Sequence, residues 1–257
     1  MTIDCSASDA SKIHRLATDA SRQTAQPVRQ GGAADADDTI PLHLLRLVSA
    51  SLPVGAFSYS RGLEWAVHAE WVKDHASARD WILGSLENNF AAVDGALFWR
   101  MIQALHAQDR SRFAYANAWL AACRESSEMQ AEDRRMGEAL IFLLKALDVP
   151  AAQAYAGFEL TYPASFAIAA HHWQVAPFVA LKGLMWAVVE AQVAAAIRVV
   201  PLGHVAGQRI LIDAVAVVER SAASAITLDD SEIGNLSVAQ AMASAWHETQ
   251  YSRLFRS

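Results

Sequence analysis

Apolar residues recur at helical spacing along nearly the whole chain from Pro41 onward. In "TIPLHLLRLVSA", Thr39 and Pro41 precede Leu42, Leu45 and Val48, which share one helix face. "SARDWILGSLENNF" carries Ser77 with Asp80 three residues on, the spacing of a capping box, and "DGALFWRMIQALHAQ" predicts a further helix behind it. "DRSRFAYANAWLAACRES" follows with Asp109 or Ser111 as cap, and "SEMQAEDRRMGEALIFLLKAL" with Ser127 and Gln130 as a second capping box. Pro163 opens "PASFAIAAHHW", and Pro177 opens a long apolar helix that Pro201 ends. "GHVAGQRILIDAVAVVERSAASAI" and "SVAQAMASAWHETQYSRLF" complete the set. Strict alternation of β-branched residues is absent; "IRVVPLGHV" comes nearest and is broken by Pro and Gly. The pattern predicts an all-α single domain, an irregular bundle of roughly ten helices over residues 40–257. Residues 1–39 are polar and rich in Ala, Ser, Asp and Gln, and read as a disordered leader.

Composition narrows the function classes. Hydrophobic residues make up 53% of the 257 and charged residues 19%. That apolar share exceeds what one helical layer hides and predicts a homodimer. A formal charge of -6 and a pI near 5.8 oppose binding to nucleic acid or an anionic membrane, so neither is an expected partner. Cys5 and Cys123 lie far apart and form no CxxC, as in a protein of the reducing cytoplasm. Residues 1–20 lack the apolar core of a signal peptide. The stretch from Phe178 to Val200 is long enough to span a bilayer, but Lys182, Glu190 and Arg198 spread around it, which reads as a buried helix of a soluble domain.

Catalytic motifs are missing one by one. The sequence has no GxGxxG, no GxxxxGK[ST] and no GxSxG. "HETQY" begins like a zinc-protease HExxH, but Tyr251 replaces the second ligand. His171 and His172 are neighbours, so on a helix they point about 100° apart and read as one core and one surface residue. Glu132 and Asp133 beside Arg134 and Arg135 read as a solvated, self-neutralised face. No catalytic, cofactor or metal residue is assigned, and weak metal binding is expected of the chain alone. One alternative is an all-α enzyme with His171 or His172 as base in a pocket. A metal-storing protein would need a His-rich tail or a Cys/His cluster, and neither is present.

Three segments carry more detail than folding requires. In "SLPVGAFSYSRGLEWAV", Pro53 and Gly55 set a bend between two helices, with Glu64 in the first turn of the second, where the helix dipole favours a carboxylate. In "AIRVVPLGHVAGQRIL", Arg198 sits in the last turn of the apolar helix, and Pro201, Gly203 and Gly207 make a corner beside Gln208. "HETQYSRLFRS" alternates aromatics with arginine, as interfaces do. Buried arginines need partners, so this last segment is expected to be mobile or loosely packed in the free chain.

Together these segments resemble the urease accessory protein F (UreF) family, in order and spacing, from about Pro41 to Ser257. "EDRRMGEAL" and "YPASFAIAAHHW" fall where weaker family motifs belong, and Arg61 departs from the His or Gln that many members carry. The resemblance implies an all-helical, cytoplasmic, homodimeric adaptor without catalysis of its own. It implies a complex with UreD (UreH) and the GTPase UreG on apo-urease (UreABC), supporting GTP-dependent nickel insertion. Nickel and GTP are then handled by the complex. Carried over by motif, Glu64 and Arg198 are candidates for the GTPase-facing surface, with Gly203 and Gln208 at the neighbouring corner. His247, Glu248, Tyr251, Arg253, Leu254, Phe255, Arg256 and Ser257 are candidates for contact with UreD, ordering when it binds.

Overall fold

A computed structural model describes residues 41–257 apart from Ala156, Asn235 and Leu236. The predicted leader, residues 1–39, lies outside the described residues. All regular structure among the described residues is helical, with no strand, as the periodicity predicts.

Helix α1 (Leu42–Leu47) leads through the bend and a 3₁₀ turn (Ala56–Ser58) to α2 (Leu63–His68). Helix α3 (His75–Ser85) is capped by Asp74, whose carboxylate accepts from the Ser77 amide at 2.9 Å while Ser77 reaches back to the Asp74 amide. The capping box is therefore Asp74–Ser77, three residues earlier than the predicted Ser77–Asp80, because Ser77 serves as N3 rather than N-cap.

The two helices predicted over residues 77–108 are one continuous rod. Helix α3 passes through a π-helical stretch (Leu86–Gly95) straight into α4 (Ala96–His106). The wider turns change which side chains face inward. They direct Asn89 to Gln240 Oε1 at 2.8 Å and Asp94 to Arg124 at 2.6 Å.

Helix α5 (Arg110–Ala122) is capped by Asp109, and α6 (Ser127–Ala146) by Ser126, whose hydroxyl accepts from the Met129 amide. Ser126 thus takes the place predicted for Ser127. Helices α7 (Pro150–Ala154), α8 (Tyr162–His172), α9 (Pro177–Val199), α10 (His204–Ala225) and α11 (Val238–His247) follow.

Helix α9 is the centre of the bundle. It packs against α1, α2, α3, α4, α8, α10 and the π segment. By length and composition it could cross a membrane. Its Leu181, Leu184, Met185 and Val193 are buried among the other helices, and Lys182 pairs with Glu219 of α10 at 3.0 Å. Beside it Phe98 and Phe166 meet edge to face, both without solvent exposure. Full burial of each such ring favours folding by about 1.5–3 kcal/mol. Gly137 lets α6 lie on the turn before α8: a Cβ there would stand 2.2 Å from the Leu160 carbonyl oxygen.

Candidate functional site

The predicted helix over "SVAQAMASAWHETQYSRLF" stops at His247, and the chain then runs as an irregular tail across α2 and α6. The helix closes with the Thr249 and Gln250 amides donating to the Trp246 and His247 carbonyls, and the tail amides beyond it find other partners. The Leu254 and Phe255 N–H groups donate to the two oxygens of Glu64 at 2.6 and 2.8 Å instead of to helical carbonyls. The Arg256 amide donates to the Ser58 carbonyl at 2.8 Å. At residue 257 the Ser60 and Arg61 amides donate to the Ser257 oxygen at 2.6 and 3.1 Å, joined by the Ser60 hydroxyl at 2.6 Å.

That cradle depends on the backbone of the first segment. Arg61 and Gly62 are both left-handed, with φ of 53° and 81°. An L-residue there costs roughly 1–2 kcal/mol, offset here by the bonds Arg61 makes. At Gly62 a side chain would also collide with α11, its Cβ 2.8 Å from the Ser244 nitrogen. The bend therefore sets the close approach of α2 and α11.

The carboxylate of Glu64 is shared further. His247 is wholly buried, with Nε2 3.2 Å from Glu64 Oε2 and Nδ1 2.5 Å from Glu128 Oε2. Arg253 donates to the other oxygen of Glu128. These are direct hydrogen-bond contacts, with no gap for an ion between imidazole and carboxylates. Beneath them Glu132 accepts from Arg61 Nε at 2.8 Å and from the Ser257 hydroxyl at 2.7 Å. Deeper still, Arg124 spans Asp94 at 2.6 Å and Asp133 at 3.0 Å, and Asp133 also accepts from the Tyr162 amide at 2.8 Å. Burial works against the charge of both guanidiniums. The carboxylates around them more than offset it and hold Arg61 above, and Arg124 well above, the ordinary arginine range.

The three over-specified segments thus converge on one another. Arg198, from the second, donates to the Phe57 carbonyl at 3.2 Å and lies 4.5 Å above the buried ring of Phe255. Two expectations are corrected, for the tail and for the Glu132–Asp133 face. The tail is packed rather than mobile, because Phe255 fills an apolar slot and internal donors saturate Glu64 and Glu132. Glu64, His247, Phe255 and Ser257 point inward and present little surface. Glu132 and Asp133 are buried ion-pair partners, not a solvated face; only Arg134 and Arg135 are exposed. Arg198, Gly203, Gln208, Glu248, Tyr251, Arg253, Leu254 and Arg256 are exposed. The sequence alone does not bring Ser60, Asp94, Arg124, Glu128 and Glu132 together as a set. One signal was available: Glu128 and Glu132 share a helix face four residues apart, a repulsive spacing unless cations meet them.

Beside the network, the 48–57 bend and α9 enclose a cavity of about 120 Å³ lined by Leu47, Val54, Tyr59 and Met136. Its ionic floor, Arg61–Glu132, is already paired, and burial raises the carboxyl of Glu190 on its wall. His172 is exposed, as expected, while His171 is half-buried against the His106 ring rather than in the core. Burial first, then the charges of His106 and His172, lowers the His171 pKa. Among the described residues, no three His, Cys, Asp or Glu side chains gather as a metal site. Four tryptophans form a cluster. Trp65 lies 4.5 Å from Trp246 and 5.0 Å from Trp71, which lies 6.5 Å from Trp81.

Comparison with known proteins follows the same segments. A family model described as UreF matches residues 72–215. The chain is 61% identical over 217 residues to urease accessory protein UreF 2 of Brucella anthropi, covering 84% of this chain and 96% of the relative. It is 41% identical over 215 residues to urease accessory protein UreF of Alkalilimnicola ehrlichii, covering 83% and 94%. With UreF of Hahella chejuensis it shares 38% over 216 residues, covering 84% and 97%.

Proposed function

Because this chain belongs to the UreF family of urease accessory proteins, we propose that it is a non-catalytic adaptor. In this reading it joins UreD (UreH) and the GTPase UreG on apo-urease in the cytoplasm and supports GTP-dependent nickel insertion. The observation that carries the reading is the convergence of the three segments. A tail held at Glu64, Glu132 and Phe255 leaves Tyr251, Leu254, Arg253 and Arg256 arrayed on its outer side. Aromatic, leucine and arginine side chains of this kind are what interfaces enrich.

The division of labour differs from that of the motif letters. The inward residues Glu64, His247, Phe255 and Ser257 shape the tail, and the outward ones meet UreD. Arg198, Gly203 and Gln208 serve UreG. A homodimer fits the apolar side chains left exposed on α1 and α10, namely Leu42, Leu45, Val205, Ile212 and Val215. The test is capture by purified UreD and UreG. Tyr251→Ala with Leu254→Ala is expected to abolish UreD capture while the fold is kept. Full-strength capture by that double variant moves the UreD surface elsewhere, and Arg198→Ala does the same service for UreG.

A further inference from the structure

The buried carboxylates Glu64, Asp94, Glu132 and Asp133 each have a donor. Half-buried Glu190, on α9, stands differently. It reaches the wall of the cavity between the 48–57 bend and that helix. Among the described residues it meets no cation and no hydrogen-bond donor, and burial alone pushes its carboxyl above the ordinary value. Its neighbours on the same helix face are small: Ala187, Ala191 and Ala194 all line the cavity. Ala50, Phe57 and Ala194 are also exposed, which puts the mouth at the surface. Inside, the walls are carbon, from Leu47, Leu52, Val54 and Met136. The floor is an ion pair closed on itself, with Arg61 Nε 2.8 Å from Glu132.

We propose that this cavity is a binding site for a small amine, whose ammonium pairs with Glu190 while an apolar body of about one ring fills the space behind it. The size fits. A sealed apolar cavity of roughly 150 Å³ takes up benzene, and this one holds about 120 Å³. The charge selects the head group. A single carboxylate is too few ligands for a bare divalent metal, which needs several oxygen or nitrogen donors. An anion would meet Glu190 with the wrong sign. A guanidinium has five N–H groups to satisfy and an ammonium three. One of those three pairs with Glu190, and the others stay turned to solvent at the mouth. The carbon body gains burial against Leu47, Val54 and Met136. The bound cation also offsets the cost of holding the Glu190 charge half out of solvent. The pocket takes its ligand with or without UreD and UreG, so the site adds to the adaptor role.

The experiment uses the full chain labelled with ¹³C-methyl methionine, because Met136 lines the cavity and Met101 does not. Benzylamine is the probe, and benzyl alcohol its neutral counterpart. Benzylamine should shift the Met136 methyl signal to saturation and leave that of Met101 in place; no saturable shift of Met136 overturns the site. Benzyl alcohol should bind about tenfold more weakly, the loss expected of one charge-assisted hydrogen bond. Equal binding of the two refutes the pairing with Glu190. In Glu190→Gln, benzylamine should fall to the level of the alcohol with no loss of thermal stability, and undiminished affinity there also refutes the pairing. Should that variant not fold, Ala194→Trp at the exposed mouth is expected to block benzylamine, and unhindered entry overturns the site. N-acetyl-lysine N-methylamide presents the ammonium as a protein carries it. Tighter binding of that probe than of benzylamine would assign the socket to a partner's side chain and overturn the small-ligand reading.

Discussion

Around Phe98, Phe166 and Leu184 the helices are held by shape, whereas around Glu64 and Glu132 the tail is held by specific donors and acceptors. The first region has many small, interchangeable contacts, so a lost methyl group is felt in proportion to its volume. In the second, each oxygen has an assigned proton, and loss of one partner strands the others. The difference teaches where tolerance lies. Apolar exchanges of matched size are absorbed in the bundle centre, while a one-atom change in the tail region alters a charge that nothing nearby can replace.

Substitutions can break the contrast, beginning with the largest expected effect. Arg124→Met leaves Asp94 and Asp133 facing each other without a cation and should cost about 3–5 kcal/mol in urea unfolding. A cost below about 1 kcal/mol would place water or another cation there. Phe166→Ala should cost a similar amount, about 3–5 kcal/mol, but through cavity volume. Its refolded population should capture UreD normally.

Removing residues 250–257 uncovers the apolar slot of Phe255 and takes donors from Glu64 and Glu132. It should lower stability by at least about 2 kcal/mol, measured by thermal melting. An unchanged melt would restore the mobile tail that the sequence suggests. Tyr251→Ala, at a fully exposed ring, should stay within about 0.5 kcal/mol of the parent while weakening UreD capture.

The smallest effect concerns Glu248. Hydrogen bonds from Ser127 lower its carboxyl below the ordinary value of 4.5. A lowered folded value stabilises above the unfolded value and is lost as pH falls through the folded one. Glu248→Gln should therefore cost about 0.5 kcal/mol near neutral pH and nothing in strong acid. A loss that persists in acid would show that charge is not the cause.

The bundle was largely readable from the chain because its information is local. The 3.6-residue period, Pro163, Pro177 and Pro201 each act within a turn of their own position. The tail region was readable only as letters. Its bonds include Arg61–Glu132, 71 positions apart, and Ser60–Ser257, 197 apart, and no window holds both ends. For that reason Glu132 looked solvated, and "HETQYSRLF" looked like the continuation of a helix. The shifted capping box at Asp74 is a lesser case: two acids stood at equivalent spacing from Ser77, and only the backbone decides between them.

The four neighbouring tryptophans have an optical consequence. Indoles as close as Trp65 and Trp246 share their excitation, and coupled transitions give a paired band in circular dichroism that separated rings do not. The band reports the seating of α11 on α2 with no label attached. Because Trp246 adjoins His247 in the chain, the same band tracks the root of the tail in real time, in a stopped-flow cell or on addition of a partner whose own spectrum has been subtracted.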